Sequence, residues 1–165
     1  MDNMKLLEER FPDAGVKLER VNGITIWEAH PVALHQEAVF RIQLSLKPVA
    51  QDPGGCGCHH YADLSMRFPD GSEKRPDIAI FCRRPQQNEE AVTTLPDAVI
   101  EVISKGYEAK DYVISLPFYL TQGVKDVLVF NPYTNEVLHC RPDGTRVTLT
   151  SPVEIQFVCG CTVTV

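Results

Sequence analysis

The chain has 165 residues, 44% hydrophobic and 23% charged. That is enough for one buried core and too little for two ordinary domains, so a single domain over residues 1–165 is expected. The longest stretch free of Asp, Glu, Lys and Arg is residues 112–124, thirteen residues interrupted by Pro117, short of the roughly 18 that span a bilayer. The net charge of −6 has the wrong sign for coating nucleic acid non-specifically. Charges at Asp2, Lys5, Glu8, Glu9 and Arg10 leave no apolar secretory core, so a cytoplasmic protein without membrane partners is expected.

In chain order, residues 4–10 read as a short helix. Residues 16–20 and 24–28 flank Val21-Asn22-Gly23 and read as a β-hairpin turning at Asn-Gly. Val39, Ile42, Leu46 and Val49 recur at steps of three, four and three, which predicts an amphipathic helix from about Pro31 to Lys47, stopped by Pro48, with His35 on its buried stripe. Gln51 to Gly55 is a turn cluster, residues 59–68 alternate as a strand, and Pro69-Asp70-Gly71-Ser72 is a turn. A strand follows from Pro76-Asp77. Residues 78–82, 98–103 and 127–130 are almost continuously apolar, as strands covered on both faces are, and should form the sheet centre. Residues 110–123 suit a crossover helix ending at Gly123, with Pro117 delaying or kinking its start. After Pro132 come a strand, the turn Pro142-Asp143-Gly144, a strand, and a last apolar stretch over 153–165.

Glu101 is the single charge within Ala98-Val99-Ile100-Glu101-Val102-Ile103. Burying it unpaired would cost several kcal/mol, so a basic partner, a proton or a metal ion must compensate it. Asp77, directly after the rigid Pro76, opens a neighbouring apolar strand. Two acids on neighbouring strands make a site for a hard cation, and oxygen ligands favour Mg²⁺ or Mn²⁺ over zinc.

Arg75-Pro76-Asp77-Ile78-Ala79-Ile80, Leu95-Pro96-Asp97 running into the Glu101 strand, Asp111, Tyr119, Gly123-Val124 and Phe130-Asn131-Pro132 together resemble the PD-(D/E)XK nuclease superfamily. Within it they most resemble the bacterial Uma-two family of endonuclease-like proteins, long classed as a domain of unknown function. The resemblance spans about residues 16–160. It implies an α/β, restriction-endonuclease-like mixed central sheet flanked by helices, with N-terminal and C-terminal β-hairpins. It implies an Mg²⁺- or Mn²⁺-dependent endodeoxyribonuclease acting on DNA, leaving a 5′-phosphate and a 3′-hydroxyl. Asp77, Glu101 and the backbone carbonyl of Val102 would be the metal ligands, and a homodimer would cut two strands. The lysine usual two positions after the Glu is Ile103 here, and the Uma-two lysine on the following helix aligns with Ser115. Lys110, adjoining the helix start, and Lys105 are the substitutes considered, and activity is expected to be weak. The rival reading is a non-catalytic binding or regulatory module of the same fold.

Other residues carry paired readings. His35 positions phosphate, carries a proton or is a hydrogen-bonded core histidine, and Glu37 either joins the site or pairs with Arg41 one turn on. Arg67, Lys74, Arg75, Arg83 and Arg84 line a phosphate groove or are solvated strand ends. The six cysteines are expected as thiols. A zinc or redox module on Cys56-Gly57-Cys58, Cys159-Gly160-Cys161 and the adjacent His59 and His60 stays open, although structural zinc ligands usually stand two to four residues apart.

Overall fold

A computed structural model describes residues 16–50, 53–86 and 90–165. The helix expected at 4–10 and part of the 51–55 turn cluster lie outside the described residues. β1 (Val16–Val21) and β2 (Ile24–Ala29) form the expected hairpin. Asn22 and Gly23 both carry positive φ, 50° and 79°, the requirement of the tight turn that Asn-Gly serves.

α1 (Ala33–Ser45) buries His35, Ala38, Val39 and Ile42. It stops earlier than the periodicity suggests, because Leu46 is already extended and Lys47 precedes a proline that disfavours helix. Lys47 and Pro48 form the short β3. The strand expected over 59–68 is two strands. β4 (His59–Ala62) joins the central sheet, the chain bends at Asp63 with φ 51°, and β5 (Met66–Arg67) pairs with β6 (Glu73–Lys74) in a different sheet.

β7 (Ile78–Phe81), β8 (Ala98–Val102) and β9 (Asp126–Asn131) lie at the centre of a six-stranded mixed sheet of order β11-β10-β9-β8-β7-β4. β10 (Glu136–Cys140) and β11 (Arg146–Thr150) complete it. β8 and β9 are parallel, and the crossover between them begins as a π-helical segment, Lys110–Ser115, before becoming α2 (Leu116–Gln122). Pro117 has no N–H for the carbonyl four residues back, and it sits where the wide turn gives way to the regular one. Gly123 ends α2 at φ 93°, a left-handed cap that glycine adopts without strain. β12 (Glu154–Gln156) and β13 (Cys161–Thr164) form the C-terminal hairpin and bind β3.

The period-2 alternation of the central strands divides the core between the two faces. Ile78, Ile80, Ile100, Val102, Leu128 and Phe130 pack with α1 and the C-terminal hairpin. Ala79, Phe81, Val99, Val127 and Val129 pack with α2 and the small sheet β2-β1-β6-β5. Glu101, one residue from Ile100 and two from Val99, therefore points toward α2 and the small sheet. No helix among the described residues is long and apolar enough to cross a membrane.

Candidate metal-assisted active site

The register of the antiparallel β7–β8 pair, Ile78 opposite Ile100, brings Asp77 to Glu101. The Asp77 amide donates to Glu101 Oε2 at 3.2 Å, and the Val102 amide donates to Asp77 Oδ2 at 2.8 Å. Tyr119 on α2 donates its hydroxyl to Glu101 Oε1 at 2.8 Å. Asp77 and Glu101 are both buried. The structure thus joins Asp77, Glu101 and Val102, and Val102 meets the site through its amide.

Lysines close over these acids from the small sheet and the π-helical segment. Lys17 Nζ lies 3.6 Å from Asp77 Oδ1, 3.6 Å from Asp63 Oδ1 and 3.9 Å from Glu28 Oε1. Lys110 Nζ lies 2.8 Å from Glu28 Oε2 and 3.1 Å from Asp111 Oδ1, the latter contact without hydrogen-bond geometry. Lys74 pairs with Glu19 at 2.5 Å and donates to Ser115 Oγ at 2.8 Å, with its ammonium 5.4 Å from the centre of the Tyr119 ring. Glu19 also accepts the Arg75 amide at 2.8 Å. Lys74 therefore brings an ammonium to Ser115, the position where the family resemblance places a lysine.

Five buried carboxyl groups, Glu19, Glu28, Asp77, Glu101 and Asp111, face three buried ammonium groups, Lys17, Lys74 and Lys110. Two negative charges remain, with His35 as a fourth, titratable cation. Burial and the Asp77 charge push the Glu101 carboxyl up to about 7, although Lys110, Lys74 and Lys17 pull it down. Burial and Glu101 likewise raise Asp111 well above the carboxylate range. Burial alone would raise Asp77 too, but Lys17 and the His35 hydrogen bond outweigh it and hold Asp77 below its ordinary value. Asp77 stays ionised while Glu101 and Asp111 take up protons, so the surplus is met by protons when no cation is present.

That donor set suits a hard divalent ion: oxygen ligands, a surplus of two charges and a buried position. Among the described residues no three carboxylate or imidazole groups bring their ligand atoms within 4.8 Å of one another. Mg²⁺ does not need such a cage, since it commonly takes one or two carboxylates and completes its octahedron with water and substrate oxygens.

A cavity of about 290 Å³ leads to Asp77 between α1 and the hairpin, bordered by Lys17, Glu28, His30, His35, Asp63 and Arg75. Glu101 lies behind Asp77 and is fully buried. His35 Nε2 is 3.1 Å from Asp77 Oδ2, and its buried Nδ1 has no hydrogen-bond partner among the described residues. Burial lowers the imidazole's affinity for a proton, but the Asp77 hydrogen bond and charge outweigh it and raise its pKa.

Other sequence-derived candidates lie elsewhere. Glu37 is exposed on α1 away from the site, and Arg41 stacks over Phe130 at 5.9 Å instead of pairing with it. Lys105 is exposed and outside the site, whereas Lys110 is within the acid cluster. The five basic residues do not line one groove: Lys74 is buried, Arg67 pairs with Glu73 and Glu90, Arg75 with Asp63, Arg83 donates to the Gly54 and Gly55 carbonyls, and Arg84 is exposed in the loop after β7.

The matching family model is described as "Uma2: Putative restriction endonuclease" and aligns with residues 6–157. The chain belongs to the Uma2 family. Its fold is that of a crystal structure described as a "putative nuclease belonging to DUF820" from Anabaena variabilis ATCC 29413. The two share a TM-score of 0.64 and 20% identity over 84% of this chain and 79% of that one. No match was found among curated proteins. Sequence reasoning missed Lys17, Glu19 and Glu28 as members of the candidate site, and it read Lys74 as a groove residue or solvated strand end where the structure buries it against Glu19 and Ser115. Their one local signal is a charge at inward positions of short strands, as in the alternation of β1, where Lys17 and Glu19 are buried between half-buried neighbours.

Proposed function

We propose that this Uma2 protein is a metal-dependent endonuclease that hydrolyses DNA phosphodiester bonds, with Asp77 and Glu101 holding Mg²⁺ or Mn²⁺. The observation that carries the reading is the surplus of two negative charges among the five buried carboxyl groups around Asp77 and Glu101, where Asp77 is held ionised and Glu101 and Asp111 lack a matching cation. Such a cation supplies Lewis acidity toward a phosphodiester oxygen and lowers the pKa of a water.

The chain's own residues prepare that chemistry. Asp77 remains ionised at neutral pH because Lys17 and His35 attend it. Glu101, pushed up to about 7 by burial and Asp77, gives up its proton readily when positive charge arrives, and Tyr119 and the Asp77 amide fix both its oxygens. Lys74, rigidly held by Glu19 and Ser115, supplies the positive potential expected of the displaced lysine, with Lys110 adding to it. These fixed charges need little reorganisation as negative charge develops on a scissile phosphate. The cavity at Asp77 is the route by which a phosphate and water reach the site.

The proximity of Lys17 to Asp77 favours a second reading, a non-catalytic DNA-binding module in which this ammonium stands in for the metal. Incubating supercoiled plasmid with the protein and Mg²⁺ or Mn²⁺ separates the two. Nicking that stops in chelator and in both Asp77→Asn and Glu101→Gln supports the nuclease. Retarded but uncut DNA supports the module, and cutting that survives in both variants rules out this site.

A further inference from the structure

Five of the six cysteines gather at the opposite end of β7 from Asp77. Cys56 and Cys58 lie in the loop before β4, Cys82 directly follows β7, and Cys159 and Cys161 flank the turn of the C-terminal hairpin. Against the expectation of thiols, Cys56 is bonded to Cys82 and Cys58 to Cys161. The two bridges touch, with Cys56 Sγ 3.4 Å from Cys161 Sγ. The sulfurs of Cys56, Cys58 and Cys161 lie within 4.8 Å of one another, as do those of Cys56, Cys82 and Cys159. Two staples alone would require neither a contact between bridges nor a fifth sulfur beside them.

We propose that in the reduced protein Cys56, Cys58, Cys82 and Cys161 hold one zinc ion as thiolates. With Zn–S bonds of about 2.3 Å, tetrahedral thiolates stand roughly 3.8 Å apart; Cys56 and Cys161 already stand 3.4 Å apart, and opening the two bridges frees each bonded pair to move out to that spacing. The single-residue spacing between Cys56 and Cys58 is overcome by the backbone. Cys58 adopts φ 47°, a left-handed conformation uncommon for a residue with a side chain. Gly160 has φ 96°, and a Cβ there would lie 3.7 Å from Cys56 Cβ, so the two turns meet face to face. Gly57 is hydrogen-bonded to the Cys82 carbonyl at 2.9 Å, and a Cβ on it would come within 2.6 Å of the His59 ring. Each ligand is therefore presented by a fixed turn or strand end. Arg83, next to Cys82, donates to the Gly54 and Gly55 carbonyls and brings positive charge to a centre whose four thiolates outweigh the ion by two charges.

The site is independent of the acid cluster. Five residue steps along an extended strand at about 3.3 Å each separate Asp77 from Cys82 by roughly 16 Å, and soft thiolates select zinc where carboxylates select Mg²⁺. A phosphine reductant opens the bridges: each takes up two electrons and two protons to give two thiols, while the phosphine is oxidised to its oxide with oxygen from water. Zinc then displaces a proton from each thiol it binds.

The test uses the whole chain, reduced with phosphine and stripped of metal, then titrated with Zn²⁺ and separately with Co²⁺. One Zn²⁺ per chain, the visible absorption of tetrahedral thiolate-bound cobalt, and a melting temperature raised by Zn²⁺ only after reduction are expected. Cys58→Ser and Cys161→Ser should abolish binding, while Cys140→Ala, altering the buried free cysteine of β10, should leave it intact. If the serine variants fold poorly, mass spectrometry of the wild type after alkylation decides, with Zn²⁺ expected to protect these four thiols. A reduced, folded protein that takes up no Zn²⁺, or whose four thiols alkylate equally with and without it, would overturn the proposal.

Discussion

Asp77 and Glu101 are joined by a 3.2 Å hydrogen bond from the Asp77 amide to Glu101 Oε2, yet their acidities are driven apart. Asp77 is held below the ordinary carboxylate range, and Glu101 is pushed up to about 7. The cause is position. Lys17 and His35 touch Asp77 directly, whereas Glu101 lies deeper and receives hydrogen bonds from a tyrosine and an amide, with no ammonium of the described residues in direct contact.

The pH dependence of stability follows from that division. Glu101 is faced by Asp77, Lys17, Lys74, Lys110, Asp111 and Tyr119. Because its folded pKa is raised from 4.5 to about 7, its contribution is complete below the unfolded value and is lost as pH rises through the folded one. His35, also raised, adds in the same direction, while Asp77, lowered, contributes stability that is lost only as pH falls below its ordinary value. The metal-free protein in chelator should melt at a lower temperature at about pH 8 than at about pH 5.5. Glu101→Gln should flatten that slope, since Gln can accept the Asp77 amide and donate to the Tyr119 oxygen. An unchanged slope in Glu101→Gln would assign it to His35 and Asp111, both also raised.

Lys74 should matter both to folding and to any turnover. Lys74→Met leaves Glu19 buried without its cation, a loss of about 3–5 kcal/mol, measured by urea unfolding. Adding Ser115→Lys returns an ammonium to the same place from α2's side and should recover part of that stability and any nicking lost. Full stability in Lys74→Met would show that Glu19 is not held as an ion.

The sequence announces part of this arrangement and hides the rest for a physical reason. Glu101 stands out because its neighbours are apolar on both faces of a central strand, and Asp77 because Pro76 marks the strand entry. The Asn22-Gly23 turn and the strands at 78–82, 98–103 and 127–130 are legible because their signals are local. Lys17, Lys74 and Glu19 look like ordinary surface charges, since they become buried only when the β2-β1-β6-β5 sheet closes over α2 and Glu101. The split of residues 59–68 at Asp63 is likewise tertiary: the Asp63 amide turns to the Asp77 carbonyl at 3.3 Å, and the chain changes sheets there. The cysteines come together only through the docking of β13 on β3, across more than a hundred residues of chain for the Cys58–Cys161 bridge.

Asp126 supplies a test of the fold away from the site. Fully buried, it accepts His139 Nε2 at 2.7 Å, Arg141 Nε at 2.7 Å and the Val158 amide at 2.8 Å, tying β9 and β10 to the C-terminal hairpin. Asp126→Ala strands these donors and should cost about 3–5 kcal/mol in denaturant unfolding. A loss below about 1 kcal/mol, the scale of an ordinary exposed ion pair, would contradict the role.

The central claim, that Asp77 and Glu101 within the surplus of buried acids form a divalent-cation site, is tested most directly by calorimetric titration of Mn²⁺ into chelator-stripped protein, paired with melting curves. Wild type should bind saturably, and at about 100 times the dissociation constant Mn²⁺ should add roughly 2.7 kcal/mol of stability. The Glu101→Gln variant, folded and as stable without metal as the wild type or more so, should show far less of either. Equal Mn²⁺ binding by the two proteins, or none by the wild type, would contradict the account.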